Sequence, residues 1–262
     1  MHSSPVLTAR SIEVELGNST ILSPLSFDLR AGEILGVMGP NGAGKSTLLG
    51  ALTQEVPLRG GEVRFHDKPI SSWSLEERAI YLAALPQFTQ LQFDFTPEQV
   101  IRMGRTPYPK SHFDDRVIED CIDVCDLTGC LSRPYTQLSG GEKQRCQIAR
   151  VLAQLADQSD DLASKLLLLD EPLSSLDIGH QQALISHFRK LSRKGLAIII
   201  TLHDINALAQ VADRVLVLDK GSCVGLGTPS DIITPTLLRT TFNVEAHISA
   251  HPVTDAPWVN LL

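Results

Sequence analysis

Ile12, Val14 and Leu16 alternate with Ser11, Glu13 and Glu15, a period of two that predicts a half-buried strand near the start of the chain. A short apolar run over Ile34–Met38 ends in a glycine-rich turn, and residues 46–52 then read as a helix. From residue 88 to 149 the pattern changes to helical spacing, with Val117, Ile118, Cys121, Ile122 and Cys125 on one stripe. Asp114 and Asp115 are the expected caps of that helix, and Pro107 and Pro109 mark a loop before it. Apolar strands return at 166–169, 196–201 and 215–218. They alternate with helices at 178–194 and 205–212, the first with Leu184, Phe188 and Leu191 on one face and Gly195 at its end. Such alternation predicts an α/β fold, a parallel sheet flanked by helices, with a mostly helical insertion. Residues 156–165 are polar, acidic and loop-like.

Composition narrows the function classes. The chain has 262 residues, 43% of them hydrophobic and 20% charged, so it can bury a sizeable core. No apolar run approaches the ~20 residues of a membrane-spanning helix. The N-terminus has no basic stretch followed by an apolar one, so no secretory signal is expected. A net charge of -7 argues against a broad nucleic-acid face but leaves room for a local anion site. The five cysteines, Cys121, Cys125, Cys130, Cys146 and Cys223, fit no common zinc spacing and read as reduced thiols packed like small hydrophobes. His247 and His251 are isolated and are expected at the surface.

The glycine-rich turn carries the first chemistry. Gly39-Pro40-Asn41-Gly42-Ala43-Gly44-Lys45-Ser46-Thr47 fits G-x-x-x-x-G-K-[ST] in full, between a predicted strand and a predicted helix. Gly42 and Gly44 let the backbone turn so that its N–H groups point at phosphate oxygens, and the helix start adds its positive dipole end. Lys45 would reach the β- and γ-phosphates, and the Ser46 hydroxyl would ligate Mg²⁺. Leu166-Leu167-Leu168-Leu169-Asp170-Glu171 supplies the second half, because a strand ending in acid places carboxylates at the sheet edge where ligands bind. Asp170 would hold Mg²⁺ and Glu171 would act as general base or water-positioning group. Leu138-Ser139-Gly140-Gly141-Glu142 precedes a predicted helix and forms another anion-binding helix start, unless it is a mere N-cap.

These three motifs together resemble the ATP-binding cassette (ABC) family, and the likeness runs from Leu7 to about Val244. It implies a P-loop NTPase parallel-sheet core with an N-terminal antiparallel β segment, over 1–87 and 150–262, and an inserted helical subdomain over 88–149. Leu138–Glu142 would then be the signature that binds, in trans, the γ-phosphate held by the opposite subunit. Gln87 resembles the glutamine that senses γ-phosphate and Mg²⁺. Asp177, in Ser174-Ser175-Leu176-Asp177, lies in the expected dimer-crossing loop, and His203 resembles the histidine that contacts the γ-phosphate. A lone histidine would otherwise read as a packed or surface residue.

Two positions depart from the family pattern. Leu16 stands where an aromatic residue usually stacks on adenine, and Leu173 and Ser175 replace the commoner Thr and Ala after Glu171. Within the family it resembles, one cassette without a membrane span implies an ATP-binding, Mg²⁺-dependent ATPase that forms a head-to-tail homodimer on two integral-membrane permease subunits, at the cytoplasmic face of a bacterial inner membrane. Arg105, the segment around His203 and the tail from Gly227 resemble importers of iron-siderophores, haem and vitamin B12. The polar 156–165 segment and Ala250-His251-Pro252 resemble the haemin importers within that group, which implies a periplasmic haem-binding protein as an indirect partner. Phe93, Phe95, Val100 and Met103 would either line the permease groove or pack a core. The alternatives are the same role in iron-siderophore or vitamin B12 import, or a soluble non-transport ABC ATPase, and the chain has neither the tandem cassette nor the coiled-coil insertion usual in the last.

Overall fold

The computed structural model describes residues 4–17, 19–87, 91–157 and 161–262. The expected first residue of the helical insertion, at 88, and the middle of the polar 156–165 segment lie outside the described residues, as do residues 1–3.

Strands β1 (Leu7–Leu16), β2 (Ser19–Leu29), β4 (Gly60–Phe65) and β5 (Lys68–Pro69) form an antiparallel sheet in the order β2-β1-β4-β5. A six-stranded sheet runs β10-β9-β3-β8-β7-β6, from β3 (Ile34–Met38), β6 (Leu82–Leu85), β7 (Leu166–Asp170), β8 (Ala197–Thr201), β9 (Arg214–Asp219) and β10 (Ser222–Gly227). Five of its strands are parallel, and β10 closes the edge antiparallel to β9.

Both faces of this sheet are covered, which is why its strands read as unbroken apolar runs rather than alternating ones. Leu166 and Leu168 of β7 point into one core with Leu35, Val37, Ile199 and the antiparallel sheet. Leu167 and Leu169 point into the other, with Ile198, Ile200 and the helices. Helix α1 (Lys45–Leu52) joins the first core, and α2 (Leu75–Tyr81) leads into β6. The second core is closed by α3 (Pro97–Met103), α4 (His112–Val124), α5 (Gly140–Leu155), α6 (Ile178–Arg193) and α7 (Ile205–Val211). Gly195, at φ 100°, ends α6 in the left-handed conformation that a glycine adopts without strain.

Several expectations are corrected. Helix α4 starts at His112 with Ser111 as its N-cap, so Asp114 and Asp115 lie in its first turn instead of capping it. Asp114 returns a bond to the cap, accepting from the Ser111 N–H at 3.1 Å, so it serves as the back half of a capping box. Cys121, Cys125, Cys130 and Cys146 are free thiols buried as expected, and only Cys223 departs, being exposed. The chain also continues past β10 into α8 (Pro229–Ile232), a short helical stretch over 235–242, and a hairpin of β11 (Ala246–Ala250) and β12 (Pro257–Leu261). His251 is half-buried at its turn, its Nδ1 accepting from the N–H groups of Val253 and Thr254 at 3.2 and 3.3 Å. Of the four apolar candidates for a permease groove, Val100 is wholly buried, Phe95 is partly buried, and Phe93 and Met103 are exposed.

Candidate active site

The parallel strands deliver their chemistry to one edge. The phosphate-type loop follows β3, Asp170 and Glu171 follow or end β7, and His203 follows β8. Because β7 and β8 pair in parallel with Asp170 opposite Thr201, the two strand ends are level, and one hydroxyl can serve both acids. Thr201 Oγ1 donates to Asp170 Oδ1 at 2.7 Å and accepts the Glu171 N–H at 2.8 Å. Thr201 is fully buried, and the sequence pattern does not mark it as a site residue. Its only signal there is a polar residue ending an otherwise apolar strand.

The loop itself is shaped by glycine. Gly42 and Gly44 take φ of 78° and 102°, and a Cβ on Gly44 would sit 2.8 Å from Leu22 Cδ2. Lys45 is buried and folds back, its ammonium donating to the carbonyls of Gly39 at 2.8 Å and Pro40 at 3.1 Å. A cleft of about 520 Å³ opens beside it, lined by Asn41, Gly42, Gly44, Lys45, Ser46, Thr47, Gln87, Glu171, His203, Leu16 and Ile21. Most residues expected at a nucleotide site from the sequence therefore meet in one place. Leu16 is half exposed and lies in that cleft with Ile21, so two aliphatic side chains stand where a base could pack.

Glu171 is the hub. Its carboxylate is nearly buried, and Gln87 Nε2 donates to Oε2 at 2.6 Å while His203 Nε2 lies 2.7 Å from Oε1. Its backbone sits at φ 50°, an uncommon conformation for a non-glycine residue and one that turns the side chain off the strand line. Each carboxylate oxygen thus has a named nitrogen partner from a different segment. Ser46, Gln87 and Asp170 line a second cavity of about 350 Å³ next to the first. A hydroxyl, an amide and a carboxylate are oxygen donors suited to a hard divalent cation such as Mg²⁺.

The Leu138–Glu142 segment and Asp177 are not part of this cleft. Ser139 caps α5, its hydroxyl accepting the Glu142 N–H at 3.3 Å, and Glu142 accepts the Ser139 N–H at 2.8 Å. The Ser139 N–H and hydroxyl beside the carboxylate, with Arg133, pull the Glu142 carboxyl down to about 2. Ser139 and Gly140 are exposed, and Gly141 packs so closely on the Asp177 loop that a Cβ there would lie 2.9 Å from the Ser175 carbonyl oxygen. Asp177 caps α6 by accepting the His180 N–H at 3.0 Å, which lowers its pKa.

A profile of the ABC transporter family matches residues 22–174. The chain belongs to the ABC transporter family. Over 255 residues it is 41% identical to the hemin import ATP-binding protein HmuV of Pseudomonas fluorescens Pf0-1, covering 97% of this chain and 99% of the relative. It is 40% identical over 251 residues to the HmuV of Streptomyces coelicolor, covering 95% of this chain and 87% of that one. Among solved structures, a chain described as a metal-chelate type ABC transporter in an inward-facing conformation superposes with a TM-score of 0.77 at 26% identity, over 99% of this cassette and 97% of that chain. A bacterial Atm1-family exporter with ATP bound superposes at 0.72 and 28% identity, over 90% of this cassette and 40% of that chain. The fold expected from the sequence, an ABC ATPase with its antiparallel segment beside a P-loop core, is the one observed. The cassette binds ATP. Among its described residues no helix is long and apolar enough to cross a membrane.

Proposed function

We propose that this cassette is the ATP-hydrolysing subunit of a haem importer, working as a head-to-tail homodimer under two integral-membrane permease subunits at the cytoplasmic face of an inner membrane. A periplasmic haem-binding protein would deliver the cargo. The observation that carries the ATPase reading is the Glu171 carboxylate, held between Gln87 and His203 over the phosphate cleft. Near full-length similarity to hemin import ATP-binding proteins supports the cargo.

The backbone of residues 39–47 would hold the nucleotide phosphates, with α1 behind them. Lys45 would exchange the Gly39 and Pro40 carbonyls for phosphate oxygens, a charge-assisted bond in place of two neutral acceptors. Ser46, Gln87 and Asp170 would hold Mg²⁺, which when bound polarises and neutralises the phosphate oxygens. Glu171 would take the proton of the attacking water at one carboxylate oxygen. Gln87 and His203 hold the carboxylate in place until the γ-phosphate recruits them. Ser139, Gly140 and Gly141 of the second copy would complete the site from across the dimer, with Asp177 at the crossing. In this reading residues 88–149 form the helical subdomain between core segments 1–87 and 150–262, and α5 continues past residue 149 into the core.

Reconstitution with the permease in vesicles tests this directly. Haem-loaded binding protein should stimulate ATPase activity, and carriers loaded with a ferric siderophore or cobalamin should not. Stimulation by one of those carriers instead would reassign the cargo. Ribosome association without membrane association would replace transport altogether.

A further inference from the structure

The ATPase reading leaves the C-terminal hairpin without a role, yet the hairpin packs Ala246 and Val259 into the helical core and is hydrogen-bonded to α7 through Asn206. Asn206 sits one turn past His203, in the first turn of α7. Its side-chain amide makes a complete pair with the backbone of Val259 in β12: Nδ2 donates to the Val259 carbonyl at 3.0 Å, and Oδ1 accepts the Val259 N–H at 2.7 Å. The Asn206 backbone N–H is meanwhile held by the N-cap Asp204 at 2.8 Å, immediately after His203. Phe242, on the chain leading to the hairpin, lines a cavity with His203, Leu202, Ile205 and the loop residues Gly39, Pro40 and Asn41. The hairpin therefore bonds the first turn of α7, three residues past His203, and its lead-in faces the His203 loop across that cavity. His203 is itself more than half exposed, so few contacts of its own fix it against Glu171.

We propose that Asn206 is a positioning residue, clamping the C-terminal hairpin to α7 so that the His203 loop is held at Glu171. The claim rests on the assignment of His203 to the ATPase site. The Asn206 amide suits this role because it offers a donor and an acceptor side by side to one peptide unit. A displaced histidine would slow the chemical step while leaving the phosphate loop intact.

Steady-state ATP hydrolysis and nucleotide binding by the full chain test this with Asn206→Ala, Asn206→Asp, His203→Ala and the Asn206→Ala/His203→Ala double variant. Asn206→Ala should lower kcat about tenfold with KM and nucleotide affinity within about twofold of the parent. Asn206→Asp keeps the acceptor for the Val259 N–H and should fall between the two. In the His203→Ala background Asn206→Ala should cost nothing further. Unchanged kcat in Asn206→Ala overturns the proposal. So does an equal loss in both backgrounds, or a loss shared by nucleotide affinity and melting temperature, since either makes the clamp merely structural. Full turnover by His203→Ala would overturn the reading of His203 itself, a failure distinct from that of the clamp.

Discussion

Lys45 and Glu142 illustrate how one side chain can be tested apart from its neighbours. Lys45 holds the carbonyls of its own loop, so its charge is already stationed where phosphates would sit. Lys45→Ala should weaken ATP binding about 10- to 100-fold, the worth of one bond to a charged group. Fluorescent-nucleotide titration checks it, and unchanged affinity would remove Lys45 from the site. Glu142 is depressed from its ordinary 4.5 to about 2 by the Ser139 N–H and hydroxyl and by Arg133. A carboxyl lowered on folding contributes stability that is fully present above about pH 4.5 and is lost as pH falls through about 2. The stability difference between the parent and Glu142→Gln should therefore be greatest above pH 5 and shrink steadily in acid. A difference that stays constant down to pH 2 would contradict the assignment.

At the scale of elements, helix α4 is fixed to its surroundings by Arg105. That guanidinium is buried, pairs with Asp114 at 2.9 Å, donates to the carbonyls of Ala153 and Ala156, and lies 3.9 Å over the Tyr108 ring. Arg105→Met should cost about 3–5 kcal/mol, because it strands a buried carboxylate. Denaturant titration checks the loss. In the sequence Arg105 carries only a likeness to one importer group: Asp114 lies across a loop from it, and the Ala153 and Ala156 carbonyls are too far along the chain for spacing to reveal. The apolar strands were legible because a sheet covered on both faces leaves no polar positions to confuse the pattern. The hairpin at 246–261 was not, since its exposed residues and short strands carry no period. The sequence pattern misplaces the start of α4, because Asp114 looks like a cap while the capping serine lies three residues earlier. The phosphate loop and Asp170-Glu171 were legible as chemistry, but Thr201, which joins the two acids, shows only through strand register.

At the scale of the molecule, four of the five thiols sit inside, with Cys121 and Cys146 pushed up to about 12 by burial. A thiol reagent should modify Cys223 alone in the native protein and all five after unfolding. Rapid native labelling of a second cysteine would mean that the helical part opens readily. The Ser139–Gly141 turn and the Glu171 cleft are separate places on one chain, so the account requires two copies to make one complete site. Glu171→Gln keeps the side chain's shape and removes its basicity, so it separates assembly from chemistry. The direct measurement is therefore ATP turnover and dimer formation by that variant in MgATP. The account predicts retained ATP, a stable dimer on size exclusion, and turnover reduced by about 100-fold or more. Rapid hydrolysis by Glu171→Gln, or a chain that stays monomeric with ATP bound, would contradict it.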